Sequence, residues 1–215
     1  MSKVNVGVLG SGDVGKSFAR AFAAVGHDVM IGSRSPEKLN DFAASTKGVR
    51  SGTFEETAKF GDLIALATLG QATSEALRLA GTQNLDGKVI IDATNPLDFS
   101  TGAPRLFVGF DDSLGEQVQR QVPGARVVKA FNTVGNSLFY QPDLPGGPPD
   151  MFLCGNDDDA KKIVSQVCDA FGWGVVDIGG IDGARHLEPM CMTWVLHGIR
   201  SGSWTHAYKF LHKPS

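Results

Sequence analysis

The stretch Val4-Asn5-Val6-Gly7-Val8-Leu9-Gly10-Ser11-Gly12-Asp13-Val14-Gly15 constrains this chain more than any other. An apolar run of strand character leads directly into Gly10, Gly12 and Gly15, spaced G-x-G-x-x-G. Beyond it, Val14, Phe18, Ala21, Phe22 and Val25 recur at helical spacing, and Gly26 stands where such a helix would stop. Strand, glycine turn and helix in this order form a dinucleotide-binding fingerprint. Gly10 permits the tight turn, Gly12 lets the backbone approach a pyrophosphate, and Gly15 lets the helix pack closely on the strand. The anion then sits on a helix N-terminus, where unpaired N–H groups and the macrodipole both favour negative charge. With 27 glycines in 215 residues, a glycine-rich turn in a purely structural unit is the competing reading. The placement between strand and helix favours the nucleotide.

The second strand, His27-Asp28-Val29-Met30-Ile31, decides which nucleotide fits. A site for NAD carries Asp or Glu about 20 residues past the fingerprint, bonded to the ribose 2′-hydroxyl. Here the strand runs into Gly32-Ser33-Arg34-Ser35-Pro36-Glu37-Lys38, with a hydroxyl and a guanidinium at the tip and an ammonium one turn on. A carboxylate at the tip would repel a 2′-phosphate, whereas Arg grips one with forked hydrogen bonds. Ser35 as N-cap and Pro36 at N1 place Lys38 in the first turn of the next helix. The cofactor expected is NADP(H), against the plainer reading of a solvated basic loop.

The rest of the chain alternates strand and helix. Val49-Arg50-Ser51 reads as a short strand, and Thr53-Phe54-Glu55-Glu56 as a capping box whose helix ends at Gly61. Asp62 to Thr68 is a continuous apolar run of the kind that forms a central parallel strand. It opens into Leu69-Gly70-Gln71 at the carboxyl edge, where open α/β sheets bind ligands. A helix over Thr73 to Ala80 follows, then a strand Lys88 to Asp92 closed by Ala93-Thr94-Asn95-Pro96. Asp92 reads as a turn former before the proline. Residues 98–112 read as a loop, carrying Phe99, Phe107 and Phe110, that either lids a pocket or packs on the sheet. A second capping box, Ser113-Leu114-Gly115-Glu116, starts a helix stopped by Pro123-Gly124. Strands follow at Arg126 to Gly135, Met151 to Gly155 and Gly174 to Ile178, with a helix over Asp158 to Phe171. The alternation predicts an α/β fold, a doubly wound and mainly parallel sheet. No composition break marks a second domain, so a single domain over residues 1–215 is expected, with a helical stretch at about 183–212.

Composition excludes several partners. The charged fraction is 20% and the formal net charge is -3, with no basic run, so nucleic acid is not expected. No apolar stretch is long enough to span a bilayer, and the first strand begins too early for a signal peptide, which points to the cytoplasm. Cys154, Cys168 and Cys191, odd in number and without metal-ligand spacing, read as buried reduced thiols. No metal site is expected. His27 before its strand reads as a surface residue, and His186, His197, His206 and His212 as structural or surface groups rather than proton donors. Asn132 and Thr133 either bond a ligand or cap the next helix. No side chain is assigned as a catalytic acid or base.

Five segments together carry a family resemblance. They are Gly10 to Gly15, Gly32-Ser33-Arg34 with Lys38, Asp92 to Leu97, Lys129 to Val134, and Gly179-Gly180 with Ala184-Arg185 and Leu187-Glu188-Pro189. In that order they resemble the NADPH-dependent deazaflavin (coenzyme F420) oxidoreductases, over nearly the whole chain. The resemblance extends to the cytosolic nucleotide-binding domain of the six-transmembrane metalloreductases. It implies a Rossmann domain with a short helical C-terminal extension, usually a homodimer. It also implies that Ser33, Arg34 and Lys38 hold the 2′-phosphate and that Ser11, Gly12, Asp13 and Val14 cradle the pyrophosphate. Thr68, Leu69, Asn95, Pro96 and Ala130 would border the nicotinamide and its ribose. The implied reaction moves a hydride between NADP(H) and a deazaflavin or flavin-type small-molecule acceptor, chemistry that needs ring stacking and water exclusion more than an acid or base. Two alternatives stay open. One is a non-catalytic, redox-sensing NADP(H) module; the other is a reductase of another small acceptor.

Overall fold

The structure, a computed structural model, describes residues 2–211 and 213. Its frame is one eight-stranded sheet: β1 (Asn5–Leu9), β2 (Asp28–Gly32), β3 (Val49–Gly52), β4 (Leu63–Leu66), β5 (Val89–Asp92), β6 (Arg126–Lys129), β7 (Asp150–Gly155) and β8 (Gly174–Asp177). The spatial order is β8-β7-β6-β5-β4-β1-β2-β3. All neighbours pair in parallel except β6 with β7, where Lys129 faces Cys154. That exception follows from the connection: residues 130–149 contain a short 3-10 turn but no crossover helix, so β7 returns antiparallel. The fold is Rossmann-type and doubly wound, and chain order reverses between β1 and β4.

Helices α1 (Asp13–Ala24), α2 (Asn40–Ser45), α3 (Phe54–Phe60), α4 (Thr73–Ala80), α5 (Leu114–Gln121), α6 (Asp158–Phe171) and α7 (Ala184–Ser201) complete the chain. The two faces of the sheet bury separate cores. On one, Val6, Val8, Ile31 and Ile91 meet α1 and an aromatic cluster. In that cluster Phe18 lies 4.6 Å from Phe139 and 5.2 Å from Phe131, centroid to centroid. On the other face Leu9, Ile64, Leu66 and Ile90 pack against Ala58, Leu77 and Val118 of the helices. Burial on both faces explains why β4 and β5 are apolar runs without alternation.

Several local expectations change. Ser35 does not cap; its own N–H donates to Ser33 Oγ (3.1 Å), and Pro36–Leu39 forms a 3-10 turn ahead of α2. The box at Ser113 is half formed. Ser113 Oγ accepts from Glu116 N–H, but the Glu116 carboxylate is engaged by Arg185 at 2.8 and 2.6 Å. Residues 98–112 are not all loop, because Leu97–Asp98 pairs antiparallel with Arg105–Leu106. Phe99, Phe107 and Phe110 are exposed there.

The helical stretch at the C-terminus is shorter than 183–212. It ends at Ser201, because Gly202 takes a left-handed conformation (φ 69°) and turns the chain back. The segment after it straps β7 to α7. Tyr208 O accepts from Asp150 N–H (2.9 Å), and the Tyr208 hydroxyl donates to Met190 O (3.0 Å). His212 lies outside the described residues. His27 is buried, not on the surface, and its Nδ1 accepts from Val4 N–H at 3.2 Å.

Candidate functional site

The carboxyl ends of the parallel strands meet at one edge, and the fingerprint loop lies over the reversal point. Gly10 adopts φ 135°, where an added Cβ would strike the Ala67 carbonyl, so no other residue fits between β1 and β4. At Gly15 an added Cβ would collide with the Gly10 carbonyl, which is the close helix–strand packing the spacing implies. Gly12 differs: a Cβ there would meet nothing within 4 Å. Its smoothness therefore serves no contact of the protein with itself. Gly12 is also the N-cap of α1, with no side chain bonded to the first-turn N–H groups. The first turn of α1 thus fits an anion held by backbone alone.

Beside this loop, the end of β2 carries buried Ser33 and exposed Arg34, with exposed Lys38 on the following turn. The Arg34 charge reaches across to α4: Glu75 is held below the usual carboxylate range chiefly by its bond to Arg78 and in smaller part by Arg34. At the end of β4, Thr68 Oγ1 lies 3.0 Å from Thr73 Oγ1, and Leu69 is 82% exposed. Gly70 sits so close to β5's exit that a Cβ would strike the Asn95 carbonyl.

The exits of β5 and β6 are joined by two amides. Asn95 Nδ2 donates to Asn132 O (2.8 Å), and Asn132 Nδ2 donates to Asn95 Oδ1 and to Leu187 O, both at 3.0 Å. Asn132 Oδ1 is buried without a partner among the described residues. Asn132 therefore does not cap a helix. The chain reaches this position through Phe131, a non-glycine residue at φ 62°. Above the clasp is a cleft of about 340 Å³ whose walls include Val14, Asn95, Asn132, Cys191, Trp194 and Trp204. None of its lining residues is charged. Trp194 and Trp204 lie 5.3 Å apart, and Trp204 is seated where Gly198 lacks a Cβ. Pro96 is buried, its carbonyl accepting from Phe107 N–H (2.9 Å). Ala130 is fully buried and does not line the cleft, although Phe131 and Asn132 after it do.

Directly behind the two exits lies a group that sequence reading missed. Asp92, Lys129 and Glu188 are 0%, 0% and 1% exposed. Lys129 Nζ is 2.8 Å from Asp92 Oδ2, 3.0 Å from Glu188 Oε1, and donates to Thr94 O at 2.7 Å. Asp92 Oδ1 accepts from Thr94 N–H and Oγ1 (2.9 and 2.6 Å), and Glu188 accepts from Leu114 and Gly115 N–H (3.0 and 2.9 Å) at the start of α5. Burial alone would lower Lys129, but the two carboxylates hold it above its ordinary value. Burial pushes Glu188 up, against the pull of Lys129 and the two amides. Asp92 is thus an ion-pair member and not merely a turn former. The available signal was a charge at the end of each of two otherwise apolar strands.

The three cysteines are free and buried, and burial pushes each thiol up to about 12, so none is a nucleophile at neutral pH. His186 and His197 are exposed, while His206 stacks on Trp194 at 4.7 Å. Among the described residues no group of three or more His, Cys, Asp or Glu is placed to hold a metal, and no helix is long and apolar enough to cross a membrane.

Residues 5–96 match the family described as NADP oxidoreductase, coenzyme F420-dependent. The F420-dependent NADP reductase of Methanothermobacter marburgensis is 30% identical over 200 residues, covering 86% of this chain and 88% of that protein. The chain belongs to the coenzyme F420-dependent NADP oxidoreductase family. As a member it is an NADP-dependent oxidoreductase. A solved structure from Arthrobacter sp. FB24, assigned as an F420-dependent NADP-reductase, superposes with a TM-score of 0.92 at 35% identity, over 98% of this chain and 100% of that one. Metalloreductase STEAP3 of Rattus norvegicus is 31% identical over 184 residues, 85% of this chain. The match spans only 35% of that metalloreductase's length.

Proposed function

We propose that this protein binds NADP(H) along the carboxyl edge of the sheet and transfers a hydride between it and a deazaflavin (coenzyme F420) or flavin-type ring in the cleft. The observation that carries the reading is the meeting, at one edge, of an open glycine loop and an uncharged, tryptophan-walled cleft. Ser11, Gly12, Asp13 and Val14 would hold the pyrophosphate, and Ser33, Arg34 and Lys38 the 2′-phosphate, by backbone N–H groups and charge-assisted bonds respectively. Thr68, Leu69, Asn95 and Pro96 would border the nicotinamide end; Ala130, fully buried, would offer no surface of its own. When bound, NADPH supplies a hydride, two electrons with one proton, and is left as cationic NADP+ while the acceptor ring takes both electrons.

The protein's work is placement and exclusion of water. Val14, Trp194 and Trp204 offer flat or apolar surface for a planar ring, and the Asn95–Asn132 clasp fixes the floor. No acid or base is assigned. A homodimer and a cytoplasmic location belong to the same proposal, the first read by sedimentation. The deciding test is NADPH oxidation with the deazaflavin coenzyme in one cuvette and FMN in another. Turnover with the deazaflavin supports the full reading, and turnover with FMN alone makes the protein a flavin reductase. Tight NADPH binding without turnover in either overturns the acceptor assignment and leaves a sensor module or a reductase of another small acceptor.

A further inference from the structure

We infer that the buried Asp92–Lys129–Glu188 triad holds one net negative charge behind the cleft and thereby makes the protein favour NADP+ over NADPH at the nicotinamide end. This rests on the nicotinamide lying where the proposed function puts it. The triad contains two carboxylates and one ammonium, all buried. Both carboxylates are surrounded by donors. Each oxygen of Glu188 accepts a backbone N–H, and Asp92 Oδ1 accepts two bonds from Thr94. The neighbouring Glu116–Arg185 pair is neutral as a unit. The cleft lining has no charged side chain of its own, and the Asp98–Arg105 pair next to it is neutral as a unit.

Position follows from the chain. Asp92 precedes Asn95 by three residues and Lys129 precedes Asn132 by three, so both lie within about 11 Å of the clasp by backbone reach. Hydride loss leaves the nicotinamide ring with a positive charge that the reduced ring lacks. At about 10 Å, one buried charge changes the affinity of such a cation roughly three- to fifteenfold for effective dielectric constants between about 40 and 20. The neutral reduced ring feels no comparable term. Glu188 and Asp92 are thus positioning residues, acting through the field, without touching either reactant.

The test is the ratio of NADP+ to NADPH dissociation constants, measured by calorimetry on the full chain. Glu188→Gln removes one charge and keeps an acceptor oxygen for α5. Asp92→Asn removes one charge from the other end of the triad, with different local contacts. The inference expects both variants to weaken NADP+ by roughly three- to fifteenfold while NADPH changes less than about twofold. Because the charge is buried, the shift should persist in about 0.5 M salt. Equal losses for the two nucleotides, or an unchanged ratio in whichever variant folds, would overturn it. If the unmodified protein binds neither nucleotide, the NADP(H) site itself is wrong and this inference falls with it.

Discussion

Arg34 is exposed at the end of β2, with Ser33 buried beside it and no carboxylate at the strand tip. If it grips a 2′-phosphate, Arg34→Ala removes a charged hydrogen bond worth about 1.5–3 kcal/mol from NADPH binding and leaves NADH nearly unchanged. Calorimetric titration with both nucleotides checks this, and equal losses would move the phosphate elsewhere. His27 carries a different kind of prediction. It is buried against β1, and burial holds its pKa below the ordinary 6.5. A depressed folded-state pKa gives stability that is complete above the unfolded value and is lost as pH falls through the folded one. Thermal midpoints should therefore decline below about pH 6.5, and His27→Gln should flatten that decline. Neither residue's setting was visible at the same level. The basic strand tip was read from local order alone, whereas a histidine before a strand gives no sign that the N–H of Val4, 23 residues upstream, will bond to it.

At the scale of elements, the fingerprint separates two uses of glycine. Gly15 has no room for a methyl group against the Gly10 carbonyl, so Gly15→Ala should lower stability by about 1–3 kcal/mol through overpacking. At Gly12 an added methyl meets open space and φ is -76°, so Gly12→Ala should leave the melting temperature within about 2 °C. It should still weaken NADPH at least about tenfold by blocking backbone approach to the pyrophosphate. Denaturation paired with nucleotide titration reads both halves. Elements with strong local signals were legible. The helix α6 runs from Asp158 to Phe171 as read, and the Thr53–Glu56 capping box forms in both directions. In the box at Ser113 the glutamate accepts from Ser113 Oγ (2.7 Å) and from Arg185, 69 residues along the chain, and the backbone half is missing. The helix at the C-terminus stopped early because Gly202 turns left-handed, and Trp204 needs the space over Gly198.

For the whole molecule, the nucleotide should act as a structural ligand. A cofactor lying across the loop ends of β1, β2, β4 and β5 ties both halves of the sheet. NADPH at about 100 times its Kd should add about 2.7 kcal/mol to the unfolding free energy. For a chain of this size that corresponds to a rise in Tm of about 5–10 °C, readable by differential scanning fluorimetry, with a smaller rise from NADH at equal concentration. The same view explains the buried triad. Asp92 and Lys129 end neighbouring parallel strands, and Glu188 comes from a helix packed across them. Loss of Lys129 would leave two buried carboxylates without a counter-ion, whereas loss of either carboxylate leaves a one-to-one pair.

By itself the sequence determined what depends on neighbours along the chain. These are the glycine turn between strand and helix, the basic tip after β2, the Thr53–Glu56 capping box, and the alternation that makes a doubly wound sheet. Only the tertiary structure decided which strand exits face one another. It reversed β7, set the Asn95–Asn132 clasp, buried Asp92, Lys129 and Glu188 together, and folded Trp204 back beside Trp194. The physical reason is separation. Local rules act over a few residues through backbone geometry, whereas these contacts join groups 10 to 59 residues apart, and packing and charge compensation select them only once the sheet has formed.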